Sequence, residues 1–234
     1  MGRMIATIRQ GLWALADVVF PPICAGCGVL GAALCPGCRA ALAWVPAGQT
    51  LLDLGQPADG LDDFQAALWF QGPTQKALHR LKYRHDVGLA ETLGGLVARR
   101  LDDLAMRLGP AVVVPVPLSP ERLNERGYNQ AGLLGRVVAE RWGLSFKPAA
   151  LARIRSTHSQ VGLSRRDRQQ NVKGAFVAAP RLVGDHAILL VDDTCTTGAT
   201  LHDCARALKA AGARRVSGLA IAQAPLRGGV GKES

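Results

Sequence analysis

The segment that narrows the folding options most is Ile188-Leu189-Leu190-Val191, followed at once by Asp192-Asp193-Thr194-Cys195-Thr196-Thr197-Gly198-Ala199-Thr200. An uninterrupted apolar run suits a strand buried on both faces of a parallel sheet. Here it breaks into two carboxylates, then small hydroxyl residues and a glycine that lead into a helix. In open α/β sheets, ligands bind in the crevice beyond the carboxyl ends of the strands. Backbone amides from Thr194 to Thr200, Cys195 and Ala199 included, can form an anion nest at the start of a helix whose dipole favours a phosphate. Thr196, Thr197 and Thr200 add hydroxyl donors, and Gly198 permits close backbone approach. Asp192 and Asp193 would repel a phosphate beside them. Accepting hydrogen bonds from ribose hydroxyls suits them better, with helix capping or metal binding as the alternative use. The expected ligand carries a diol next to a phosphate.

The remaining pattern builds an α/β domain around that segment. Ala111–Val116 is a second short apolar run, Ala149–Ile154, Gly174–Ala178 and Arg215–Ala222 read as further strands, and Asn129–Trp142 and Ala199–Ala211 as helices. Upstream, Phe64–Phe70 alternates as a strand, Pro73 opens a helix through Leu81, and Gly88–Leu108 has the spacing of one long amphipathic helix. The expected fold class is α/β, a mostly parallel sheet flanked by helices with a small N-terminal four-cysteine zinc finger. The division expected is 1–60 for an N-terminal helix and zinc-finger region, 61–110 for hood or linker helices, and 111–225 for the main domain. A length of 234 residues fits one ordinary domain with an appendage.

Before the first cysteine, Ile5, Ile8, Leu12, Leu15 and Val19 fall on one helical face that the Pro21-Pro22 pair ends. Asp17 interrupts the apolar run, which argues against a secretory signal. No stretch is long and apolar enough to span a membrane, and the expected location is cytoplasmic. Cys24-Ala-Gly-Cys27 and Cys35-Pro-Gly-Cys38 are two C-x-x-C knuckles seven residues apart. Four thiolates at that spacing can surround one Zn²⁺ and leave no open position, which marks a structural site. Two disulfides, four free thiols or an iron–sulfur cluster are the alternatives. Of the six cysteines, Cys204 reads as core and Cys195 as a candidate redox-sensitive thiol inside the loop.

The net charge of +10 favours phosphate-bearing partners without choosing among them. Arg153, Arg155, Arg165, Arg166 and Arg168 are opposed only by Asp167. A mobile loop over Arg155–Asn171 could clamp a pyrophosphate, track a single-stranded nucleic acid, or simply be solvated. Arg122, Arg126, Tyr128 and Gln130 could cap and pack a helix start, but two arginines directly after a buried strand argue for an anion nearby, and Tyr128 or Tyr83 could stack a base. The five histidines show no ligand spacing.

The Ile188–Thr200 pattern resembles the ribose-phosphate fingerprint of type I phosphoribosyltransferases. Further stretches narrow the likeness: Val114-Pro115-Val116-Pro117-Leu118, Glu125-Arg126-Gly127-Tyr128-Asn129-Gln130, Arg153 with Thr157 and Gln160, Leu163-Ser164, Arg168, Asn171-Val172, Gly174-Ala175-Phe176 and Leu81-Lys82-Tyr83-Arg84. With the knuckle in front, nearly the whole chain resembles the ComF family. The resemblance implies a phosphoribosyltransferase-like fold and an association with natural competence, through single-stranded DNA and DNA-uptake or recombination proteins. It also implies 5-phosphoribosyl-1-pyrophosphate as ligand, with Mg²⁺ bridging pyrophosphate and ribose, the loop after Val116 meeting pyrophosphate, and Asp192 through Thr200 holding ribose and 5-phosphate. Thr194-Cys195 departs from the motif, which more often has Val or Ile and then a small or charged residue. No settled transferase substrate comes with the resemblance.

Overall fold

The computed structural model describes residues 21–46, 49, 60–109, 111–155 and 174–225. The expected N-terminal helix before Pro21, most of the 47–59 linker, the arginine-rich stretch beyond Arg155 with Arg165 and Arg168, and the stretch from Leu226 onward lie outside the described residues. In chain order the elements are α1 (Pro36–Ala40), β1 (Asp63–Trp69), α2 (Gly72–Tyr83), α3 (Gly88–Arg100), α4 (Asp102–Leu108), β2 (Ala111–Pro115), α5 (Pro120–Arg126) and α6 (Gln130–Trp142). There follow β3 (Ser145–Phe146), a 3₁₀ turn (Pro148–Ala150), β4 (Leu151–Arg153), β5 (Phe176–Ala178), α7 (Pro180–Val183), β6 (Ala187–Cys195), α8 (Ala199–Ala210) and β7 (Arg215–Gln223).

Five strands form a wholly parallel sheet in the order β1-β7-β6-β2-β3. The two apolar runs are its centre, since every residue of β2 is buried and so is β6 from Ala187 to Val191. Side-chain alternation divides β6 between two cores. Leu189 and Val191 join Leu93, Val97, Leu134 and Val138 of α3 and α6, whereas Ile188 and Leu190 join Leu201, Cys204, Ala205 and Leu208 of α8. The strands expected at 149–154 and 174–178 exist in shortened form, but they pair with each other antiparallel as a separate ribbon. The periodic run at 88–108 is two helices. Leu101 breaks it, closing α3 through its N–H to Val97 O at 3.0 Å while Asp102 and Asp103 supply an acidic first turn to α4. A local start signal thus overrides continuous apolar spacing.

β6 also runs four residues beyond its expected end at Val191, because β7 continues the ladder through Asp192↔Ala220, Thr194↔Ala222 and Cys195↔Gln223. β2 stops at Pro115↔Val191. Beyond β2 the chain passes through α6 to β3 on one side, and beyond β6 it passes through α8 to β7 on the other. The crevice between the carboxyl ends of β2 and β6 is therefore the topological switch point of the sheet. At the opposite edge, the chain leaving the knuckle covers β1, with Trp69 N donating to Ala43 O at 2.8 Å and Val45 N to Ala67 O at 3.0 Å. Among the described residues, no helix is long and apolar enough to cross a membrane.

The helical layer depends on a close crossing of α3 and α6, where a Cβ placed on Gly94 would stand 3.0 Å from the Val137 side chain and 3.3 Å from Leu134 O. Gly94→Val should destabilise the protein by about 1–3 kcal/mol through overpacking. Urea unfolding checks this, and an unchanged midpoint would argue against the crossing.

Candidate functional site

The Thr196–Gly198 turn joins β6 to α8. Gly198 caps that helix in the left-handed region, at φ 76°, a conformation that favours glycine. Asp192 and the run Thr194–Leu201 line a hollow of about 50 Å³. That is several times the ~10–15 Å³ a water molecule requires, and it matches one compact anionic group rather than a nucleotide. The first-turn amides of α8 have no partners within the helix ladder, which makes this end receptive to an anion. Thr194 and Cys195 belong to the strand, so the turn proper starts at Thr196, whose side chain is exposed. Cys195 is only 3% exposed, and burial, with Asp192 beside it, pushes the thiol well above its ordinary range, against the opposing pull of the Gly198 amide. Such a thiol is unreactive.

The two acids occupy different settings. Asp192 lines the hollow, and its Oδ1 accepts from Asp193 N at 2.8 Å. Asp193 Oδ2 accepts from Thr194 Oγ1 at 2.8 Å and is ion-paired with the Lys82 ammonium, which itself donates to Thr194 Oγ1 at 3.1 Å. Lys82 arrives from the last turn of α2; in sequence it stands in the Leu81–Arg84 stretch and, with Tyr83, as a candidate for lining the hood, and nothing in its local pattern points to an acid 111 positions away. Burial raises the Asp192 carboxyl to about 8, the negative charge of Asp193 adds to the rise, and Lys82 opposes it. Burial pushes the Cys204 thiol up; Asp192 and Asp203 add to the rise and Arg153 opposes it.

The loop after β2 is knitted into the protein. Ser119 caps α5, accepting from Arg122 N at 3.5 Å, and Asn129 Nδ2 donates to Val116 O at 2.9 Å. Arg126 donates to Gln130 Oε1 at 3.0 Å and lies 5.0 Å over the Tyr83 ring. Tyr128 Oη donates to Leu81 O at 2.5 Å, and its ring packs against the core, so it braces α2 rather than offering a free stacking face. Gln130 is fully buried, and its Nε2 finds no acceptor among the described residues. Arg153 lies 5.5 Å over Phe176; burial, with Arg122 close by, holds its guanidinium below the ordinary range. Sequence reasoning missed Asp203, whose carboxylate accepts from Gly174 N and Ala175 N at 3.1 and 3.0 Å and fixes the entry to β5 against α8.

The four knuckle sulfurs lie within 4.8 Å of one another. Cys35 N donates to Cys24 Sγ at 3.3 Å, and Cys38 N to Cys35 Sγ at 3.5 Å. Burial pushes the Cys24 thiol up, yet the amides of Cys35, Cys27 and Gly26 outweigh it and bring the thiol down to about 6; burial and the neighbouring sulfurs push Cys38 up to about 12. Four thiols this close cannot all ionise without a cation among them. The donor set suits a closed tetrahedral metal site compatible with a zinc finger. A Cβ on Gly26 would stand 2.4 Å from Cys38 Sγ. Gly26→Ala should therefore lower metal retention against a chelator, whereas the unaltered chain should carry one zinc by elemental analysis; a metal-free folded chain would contradict the assignment.

No family model matches the chain. Competence protein F of Haemophilus influenzae is 31% identical over 160 residues, covering 65% of this chain and 69% of that protein. DNA utilization protein YhgH of Salmonella typhi is 32% identical over 192 residues, covering 78% of this chain and 81% of that one. Among solved structures, the glutamine phosphoribosylpyrophosphate amidotransferase of B. subtilis complexed with ADP and GMP superposes in part, with a TM-score of 0.39 and 21% identity over 56% of this chain and 26% of that one. The knuckle, the parallel sheet and the similarity along most of its length make this chain a member of the competence protein F family, together with the YhgH proteins.

Proposed function

We propose that the protein binds 5-phosphoribosyl-1-pyrophosphate or a closely similar ribose phosphate with its 5-phosphate seated in the hollow at Asp192–Thr200, and that this binding serves the handling of single-stranded DNA during uptake. The observation that carries the reading is an acid, Asp192, lining an anion-sized hollow at the switch point of a parallel sheet. The 5-phosphate is received by the Thr196–Thr200 backbone with the hydroxyls of Thr196, Thr197 and Thr200. Asp192 accepts a ribose hydroxyl, and Asp193 is steadied by Lys82. Arg122 and Arg153 supply positive charge for the pyrophosphate near the loop after Val116. Mg²⁺ bridging pyrophosphate and ribose would lower the repulsion between ligand and acids. Cys24, Cys27, Cys35 and Cys38 hold a structural Zn²⁺. The names of the relatives, competence protein and DNA utilization protein, support the DNA role, and DNA-uptake or recombination proteins are the expected partners.

The raised Asp192 carboxyl gives the reading a pH signature. At pH 7 a group whose pKa is about 8 is mostly protonated, and it accepts a hydroxyl fully only after losing that proton. Binding at pH 7 should therefore release a proton, and affinity should climb with pH until it levels above about 8. Calorimetry with phosphoribosyl pyrophosphate in two buffers of different ionisation enthalpy measures the release; identical enthalpies and a flat pH profile would refute the role of Asp192. Asp192→Asn should weaken binding about 10- to 100-fold, the value of a charged hydrogen bond.

Single-stranded DNA should bind with an affinity that falls steeply as salt rises, as phosphate contacts require. Release of pyrophosphate on adding nucleobases and Mg²⁺ would instead point to a turning-over phosphoribosyltransferase.

A further inference from the structure

Helix α2 is gripped from two sides within its last two turns. On one side Lys76 Nζ donates to Gly26 O and Arg80 Nη1 to Ile23 O, both at 2.9 Å, so two cations at i, i+4 spacing hold the backbone of the first cysteine knuckle. Apolar contact reinforces the grip, because Cys24, Ala25 and Leu34 share one core with Ala77, Leu78 and Leu81. Lys82 lies two positions past Arg80, about 200° further round the helix, and points to the other side. There it meets Asp193 and Thr194 with its side chain only 19% exposed. Arg126 at the end of α5 and Tyr128 just beyond it fasten the same turn.

Two adjacent acids at a half-buried strand end disfavour each other's charge, and among the described residues Lys82 is the cation ion-paired with Asp193. A lysine has a flexible stem, so its position depends on where the helix carrying it is anchored. The knuckle supplies much of that anchoring, and its own shape depends on four sulfurs being drawn together.

We infer that Lys82 is a positioning residue of the ribose-phosphate site, and that the four-cysteine knuckle sets it through α2, so that loading the knuckle with metal orders the Asp192–Thr200 loop. This rests on the site reading above and extends it: the metal governs the ligand site as well as the local fold. The coupling is a physical relay of salt bridge, helix and carbonyl clamp, for which about 5- to 150-fold effects are usual.

Hydrogen–deuterium exchange on the full chain tests the relay without any ribose phosphate. In the metal-loaded protein, Lys82→Met should accelerate exchange across Asp192–Thr200 about tenfold, whereas Lys82→Arg, which keeps the charge, should stay near the unaltered chain. Chelation should produce the same acceleration in the unaltered chain and add nothing to Lys82→Met. Should chelation unfold the whole protein, the paired substitution Lys76→Met and Arg80→Met severs the knuckle from α2 with the metal retained, and it should accelerate the loop too. A Lys82→Met chain with an unchanged loop, or a severed or chelated chain whose knuckle peptides open while the loop does not, overturns the inference. A merely structural lysine would leave the pH midpoint of phosphoribosyl pyrophosphate binding in place; Lys82→Met should raise it. Failure of that ligand to bind any form, with the exchange results intact, would sink the ligand assignment and leave the relay standing.

Discussion

A strand that outlasts its neighbour governs this structure. β6 is hydrogen-bonded on both sides as far as Val191, and beyond that only to β7, since β2 ends at Pro115. The same hydrophobic burial that fixes Ile188–Val191 between two cores thereby delivers Asp192 and Asp193 to a place where one ladder is missing and the crevice opens. Had β2 been four residues longer, the acids would face a paired strand and α8 would start over a closed edge. Half-buried acids then need compensation, which comes unequally: Asp193 takes Lys82, while Asp192 keeps a carboxyl reluctant to ionise.

Much of this was legible in the sequence, where period and punctuation carry strong local signals. The apolar runs at 111–116 and 187–191, the Thr-Thr-Gly turn and the two C-x-x-C knuckles each announce their geometry through residues close together in the chain. What failed to show depends on partners distant in sequence. β6 continues past Val191 because β7 offers a ladder, and no residue in 192–195 encodes that. The ribbon of β4 and β5 looks like two further sheet strands until their pairing is known. Leu101 fits the apolar stripe of its helix, and the break comes from Asp102 and Asp103 as a competing start. Tyr128 reads as a stacking platform until its hydroxyl is seen bound to Leu81 O, and the arginines group as Arg122 with Arg153 and Arg126 with Tyr83 only once the sheet is assembled.

The knuckle and the sheet are conventionally separate concerns, one of metal and one of hydrophobic packing. Here α2 belongs to both, contributing Leu78 and Leu81 to the core, Lys76 and Arg80 to the knuckle, and Lys82 to the acid pair. This member of a family tied by name to competence and DNA utilization carries an acid-lined hollow at its switch point and a metal-compatible appendage joined to the sheet through α2.

The most direct test is a crystal structure of the full chain grown with phosphoribosyl pyrophosphate and Mg²⁺. The account predicts the 5-phosphate seated against the Thr196–Thr200 backbone, with a ribose hydroxyl in hydrogen-bond contact with Asp192. Ligand bound elsewhere, with the hollow holding only solvent, would contradict it.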